Sequence, residues 1–218
     1  MQLDSSLRFL LFGSLLIGVC LLFFGCRTTE TASVSSKPPV LVLKNPPKTL
    51  AILPFENNSV TEPDKYSPLS KGMAAMLTTD LNRAGTSIKL IEREKIQALL
   101  KEIAFGQSGA IDQSTAVQVG KLLGAQSIAF GAFMVLDRTV RIDLRIIQVE
   151  TSELIMAESV TGSSSNFISL EQDLARRIGK SLKIALPPEK ATGASDITAA
   201  LFFSRGVEAY DQDDKVTA

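Results

Sequence analysis

Residues 126–161 read QSIAFGAFMVLDRTVRIDLRIIQVETSELIMAESVT, and this stretch decides the fold class. Three runs, 126–136, 140–149 and 154–161, are rich in β-branched and aromatic residues and are parted by the polar links Asp137-Arg138-Thr139 and Glu150-Thr151-Ser152-Glu153. A parallel return needs a crossover of a dozen or more residues, so links this short join neighbouring antiparallel strands. The three runs therefore predict an antiparallel meander.

Upstream, the periods change repeatedly. Residues 49–55, TLAILPF, form a short apolar run suited to a buried strand, closed by the turn-rich ENNSVTEPDKYSP of 56–68. Leu69, Met73, Met76, Leu77, Leu81 and Ala84 then fall on one face of a helix, with Gly85 where it would stop. Residues 87–91, SIKLI, alternate as a second strand. Ile96, Leu99, Leu100 and Ile103 mark another amphipathic helix, and Asp112 can cap a third that ends at Gly124. Downstream of the meander, Ser169 with Gln172 makes a capping box for a last helix, with Leu170, Leu174, Ile178 and Leu182 turned inward. The order is β-α-β-α-α-β-β-β-α. Alternation followed by a meander predicts an α/β fold with a three-layer-like mixed sheet flanked by helices.

Composition narrows the chemistry. The 218 residues carry 23 Lys+Arg against 23 Asp+Glu, no His and two Cys. Without histidine there is no imidazole base, no Ser-His or Cys-His pair and no His-containing zinc site. Zero formal charge and the lack of a basic stripe argue against a nucleic-acid coat. No GxxxxGK, GxGxxG or Ser-x-x-Lys occurs, so phosphate cradles and Ser-Lys hydrolases have no support. The expectation is a protein that is not an enzyme, with no catalytic, cofactor-binding or metal residue and no small-molecule substrate.

The amino terminus supplies an address. Residues 9–24, FLLFGSLLIGVCLLFF, are 16 uncharged residues preceded by Arg8 and followed by Gly25, Cys26 and Arg27. A spanning helix needs about 20 apolar residues, so the run suits a cleaved leader, with an uncleaved anchor as the alternative. Phe23-Phe24-Gly25-Cys26 resembles a bacterial lipobox; Gly25 and Cys26 fit it, whereas Phe23 departs from the usual Leu and Phe24 from a small residue. The resemblance implies acylation of Cys26 and retention by the membrane, and Arg27 after the cysteine favours the outer membrane, facing the periplasm. Cys20 would leave with the leader. The expected organisation is a lipoprotein signal peptide at 1–25, acylated Cys26 and a Pro-containing tether over 26–48, one domain over 49–186, a linker at 187–195 and an amphipathic segment at 196–218.

Four stretches, LAILPFENNS, LIEREKIQALLKEIAFGQSGAID, VGKLLGAQSIAFGAF and IIQVETSELIMAESV, resemble in that order the domain of the curli secretion channel family, the CsgG-like proteins. The resemblance covers 49–186 and implies an outer-membrane lipoprotein. It also implies a departure, because the channel crosses the membrane through long inserted hairpins whose strands need about 9 to 11 residues each. Neither the link 137–139 nor the interval 162–168 is long enough to hold one. Ser152 stands where the family often has Gly, which calls for a different turn.

The loop 56–67, with Tyr66, occupies the position where open α/β sheets bind ligands, and is read as a turn without one. Glu92, Arg93 and Glu102 match a family pattern and are read as a salt-bridged helix start. Arg141, Asp143 and Arg145 share one face of a half-buried strand. Arg176, Arg177, Lys180 and Lys183 are read as a solvated face that complements a helix dipole. Residues 197–218 resemble the start of a tetratricopeptide repeat through Ala199, Phe202, Gly206, Tyr210, Asp214 and Ala218. They are either a terminal amphipathic helix or the opening of a longer repeat domain. Together these readings point to a lipid-anchored periplasmic protein that acts by contact with envelope or secretion proteins, self-oligomerisation included. A ring-forming channel component and a regulator of a cell-wall enzyme are the alternatives.

Overall fold

The computed structural model describes residues 45–85, 87–103, 111–187 and 196–212. Its elements are β1 (Thr49–Ile52), β2 (Glu56–Asn57), α1 (Pro63–Tyr66), α2 (Leu69–Arg83), β3 (Lys89–Leu90), α3 (Arg93–Glu102), α4 (Gln113–Leu123), β4 (Ser127–Leu136), β5 (Thr139–Gln148), β6 (Leu154–Ser163), α5 (Phe167–Ser181) and α6 (Ile197–Asp211). The expected signal peptide, Cys26, most of the tether and nearly all of the linker lie outside the described residues.

The six strands form one open mixed sheet in the order β3-β1-β4-β5-β6, with β2 also paired to β4. β1 runs parallel to β3 and β4, and the antiparallel pairings β4–β5 and β5–β6 make the expected meander. Asp137 accepts a positive φ of 53° in the first turn, and Ser152 one of 61° in the second. Gly131 leaves room for both the neighbouring strand and Phe55, since a Cβ there would meet the Asp143 carbonyl at 2.1 Å and Phe55 Cε1 at 3.0 Å.

Side-chain alternation splits the core in two. On one face Leu50, Ile52, Phe133, Ile142, Ile146 and Val160 pack against α2, α5 and α6. On the other, Leu53, Ile128, Phe130 and Ile147 pack against Ile96 of α3 and Val117 and Val119 of α4. The second set fills only the part of its face near β1 and the start of β4. Asp112 caps α4 by accepting from the Thr115 amide at 2.8 Å, and Gly124 ends it at φ 64°; Gly85 ends the α2 segment at φ 62°.

Three details depart from the sequence reading. First, the loop 56–61 is a sheet element. β2 pairs with Ala132 and Phe133, the Asn58 and Val60 amides donate to the carbonyls of Phe133 and Val135, and the Ser59 hydroxyl accepts from the Val135 amide. Its Asn and Ser residues look like turn formers because several of their polar atoms serve the backbone of β4 or of their own segment. Second, α5 starts at Phe167 after a 3-10 turn at Ser164–Asn166, so Ser169 and Gln172 lie inside the helix and form no capping box. Complete burial of Phe167 sets the earlier start. Third, α6 packs on α2 within the same core, through Ile197, Ala200 and Leu201.

Candidate docking face on the sheet

The alternation that buries Val140, Ile142, Leu144 and Ile146 of β5 turns Arg141, Asp143 and Arg145 to the opposite face, beyond the cover of α3 and α4. Strand register lays out that open half in rows. Glu56, Ala132, Asp143 and Ser159 form one row; Phe130, Arg145 and Ala157 the next; Met134, Arg141 and Thr161 the one beyond. Ala132, Ala157 and Ser159 are small, so the sheet floor is low between taller charged side chains. An open cavity of about 590 Å³ results, with Glu56 and Asn58 on one side and Ile111 and Phe130 at its covered end.

Its charges are unevenly satisfied. Arg141 holds Asp143 through Nε and Nη2, at 2.7 to 3.1 Å, and the carboxylate raises the guanidinium pKa in return. Arg145 is exposed and Glu56 half-exposed, and neither has an ion pair among the described residues. The strand charges expected to share a face do share it. What the sequence hides is that no helix among the described residues covers them.

The other candidates separate. Tyr66 is buried in the core, with the Lys65 ammonium 5.3 Å from its ring, and so offers nothing to a ligand in the loop. Glu92 and Glu102 are exposed at opposite ends of α3, whereas Arg93 turns to the carboxylate of Asp211 in α6. Lys71 stands 3.6 Å from the same carboxylate, the Lys101 ammonium donates to the Asp211 carbonyl, and Tyr210 places its ring 5.7 Å from the Arg93 guanidinium. Arg177 belongs to no solvated cluster. It pairs with Asp173 at 2.9 Å and Glu158 at 3.4 Å and donates to the Ser159 carbonyl at 3.3 Å, so it guards the outer edge of β6.

One carboxylate pairing escaped the sequence. Glu171 of α5 is buried, its Oε1 has no hydrogen-bond partner among the described residues, and it lies near Asp80 of α2. Burial holds the Glu171 carboxyl well above its ordinary range; Asp80 pushes the same way and Arg176 opposes. Burial also raises Asp80, against Arg83. The signal was spacing: Phe167, Glu171, Leu174, Ala175 and Ile178 form the buried stripe, so Glu171 occupies an apolar position.

An open mixed sheet, helices on both faces and a polar recess on the half that no described helix covers define an α/β domain of the open-sheet kind. The sequence model of the family described as "Curli production assembly/transport component CsgG" matches residues 27–141, just over half of the chain. The chain belongs to this family. The match begins upstream of β1 and ends inside β5, whereas the four motifs read from the sequence span 49–186. No curated protein sequence matches. Among solved structures, the lipoprotein GNA1162 from Neisseria meningitidis is similar at 16% identity and TM-score 0.44, covering 62% of this chain and 99% of that one. A PelC dodecamer from Paraburkholderia phytofirmans gives 12%, 0.42, 68% and 96% on the same measures. The LpoB C-terminal domain from Salmonella enterica gives 11%, 0.40, 55% and 84%.

Proposed function

We propose that this chain is a non-enzymatic, lipid-anchored periplasmic protein of the outer membrane that acts by protein contact in curli-like secretion or envelope assembly. Family membership supports the setting. The observation that carries the contact reading is the half-sheet that no helix among the described residues covers, where Arg145 and Glu56, without ion pairs among the described residues, flank a recess of small residues. A partner surface with opposite charges at that spacing gains two ion pairs and covers the recess, and charge complementarity of this kind sets specificity and encounter rate.

The test is charge reversal on the intact protein in its own membrane. Arg145→Glu with Glu56→Lys changes side chains that face solvent, so thermal unfolding stays as in the wild type, and photo-cross-linking from Ser159 to an envelope protein falls at least tenfold. The same protein cross-linked equally by the double reversal would overturn the reading. A ring-forming secretion channel is the second reading, favoured by the family's transport description. The two-residue turn between β4 and β5 counts against it, and discrete conductance of the purified protein in lipid bilayers would bring it to the front.

A further inference from the structure

β6 ends the sheet among the described residues, since it pairs there with β5 alone. The register fixes what its outer edge presents. The Ser164 amide donates to the Arg138 carbonyl at 2.8 Å, which makes Thr139 and Ser163 a pair without mutual hydrogen bonds. By alternation Met156, Glu158, Val160 and Gly162 bond to β5, while Ala157, Ser159, Thr161 and Ser163 turn their amides and carbonyls outward. All four are exposed, and none is a lysine or proline, the residues that usually blunt such an edge. Among the described residues, the one partner on that side is Nη1 of Arg177, which donates to the Ser159 carbonyl at 3.3 Å. At the start of the strand Leu154 is 54% exposed.

We propose that residues 40–43 of this chain, Val40-Leu41-Val42-Leu43, add to that edge as a short antiparallel strand. They lie outside the described residues, and three observations single them out. They are an apolar, half β-branched run set between Pro38-Pro39 and Pro46-Pro47 in an otherwise polar segment. The chain also enters the described region at the right place. The Lys48 amide donates to Gln126 Oε1 at 2.7 Å, and Asn45, Pro46 and Pro47 line a cavity of about 830 Å³ together with Ser127, Gln148 and Ile155. Traced back from β1, the backbone thus passes the ends of β4 and β5 to the start of β6, and two residue steps, about 7 Å at most, lead from Asn45 to Leu43. Finally, the pairing matches residue by residue. With Leu43 opposite Ile155, where β6 is irregular, Leu41 falls opposite Ala157 and Pro39 opposite Ser159. Leu41 and Ala157 then exchange two hydrogen bonds. Pro39 has no amide for the Ser159 carbonyl, and that carbonyl is the one Arg177 already holds. On the anchoring proposed above, pairing shortens the free tether from about 75 Å to about 45 Å at full stretch, so the strand sets how far from the membrane the recess can work.

The experiment uses the full chain extracted from its membrane in mild detergent. Leu41→Cys with Ala157→Cys should oxidise to an intramolecular disulfide at the single chain mass, because the Cα spacing of such a pair, about 5.5 Å, suits the bond. Leu41→Cys with Thr161→Cys should not, and single-cysteine variants control for Cys20 and Cys26. Hydrogen exchange at the Ala157 amide should be at least tenfold slower in the wild type than in Leu41→Pro, while the Val160 amide, bonded to β5, exchanges alike in both. A disulfide-linked species of twice the chain mass would overturn the proposal, since a second copy would then supply the strand, and so would the absence of any link. An Ala157 amide that exchanges at one rate in the wild type and in Leu41→Pro would overturn it too, whether fast, from a bare edge, or slow, from a different strand.

Discussion

Gly72 of α2 and Ser204 of α6 meet so closely that a Cβ on Gly72 would lie 1.8 Å from the Ser204 Oγ and 2.5 Å from its Cβ. Ser204 is fully buried and its hydroxyl donates to the Ala200 carbonyl at 2.6 Å, so it has no room to turn aside. The contact locks the carboxy-terminal helix onto the domain. Gly72→Ala should favour the isolated helix by roughly 0.5–1 kcal/mol, yet overpacking costs about 1–3 kcal/mol, so the net effect is destabilising. Gly72→Val should cost more. Adding Ser204→Gly should recover part of the loss, making the pair non-additive in a chemical-denaturation cycle. Additive losses would show that the two helices do not press on each other.

Asp211 anchors the other end of the same helix. Its side chain is 4% exposed, with the guanidinium of Arg93 on one oxygen and the Lys71 ammonium near the other. Removing one member of a buried pair leaves the rest uncompensated, which costs about 3–5 kcal/mol. Asp211→Ala should therefore lower the unfolding midpoint and speed amide hydrogen exchange throughout α6, while amides of β4 and β5 exchange as before at equal global stability. Uniform acceleration would place Asp211 in the global core and not in a latch specific to α6.

The meander, the caps at Asp112 and Gly124 and the apolar faces of α2 and α3 were legible because local periodicity and turn chemistry determine them. β2 was not, because a two-residue strand in a run of Asn and Ser has no period, and its pairing partner lies more than 70 residues away. The Arg93–Asp211 pair spans 118 residues and leaves no local trace. Arg141, Asp143 and Arg145 were assigned correctly to one face by alternation alone. Whether a helix covers that face depends on where α3 and α4 end in space, which no single-strand pattern carries. The packing of α6 likewise depends on a glycine in one helix meeting a serine in another.

The anchor is testable at one residue. Cys26→Ala should abolish incorporation of labelled palmitate and release the protein from the membrane fraction into the periplasm. Release is what the proposed anchoring requires, in which acyl chains supply the membrane affinity of a chain whose leader has been cleaved. A variant that stays in the membrane fraction without label would identify the apolar run of 9–24 as an uncleaved anchor.

Glu171 sets a pH dependence whose sign follows from its environment. The folded protein holds its carboxyl proton well above the ordinary value of 4.5, mainly because burial penalises the charge and also because Asp80 repels it. At pH below that ordinary value both states are protonated and the group contributes nothing. As pH rises past it, the unfolded chain releases the proton while the folded chain keeps it, so stability falls by up to about 1.4 kcal/mol per pH unit until the raised folded value is reached. Glu171→Gln keeps the shape and removes the titration. The variant should match the wild type near pH 4 and exceed it increasingly above about pH 5, with a higher unfolding midpoint at neutral pH. In the variant, Asp80, raised by burial, should leave a slope of the same sign, and Asp112, whose carboxyl is lowered by its hydrogen bonds to Thr115 and Ser114, one of the opposite sign. Parallel stability curves for the two proteins across this range would mean that Glu171 reaches solvent, and that α2 and α5 are less closely packed around it than the structure shows.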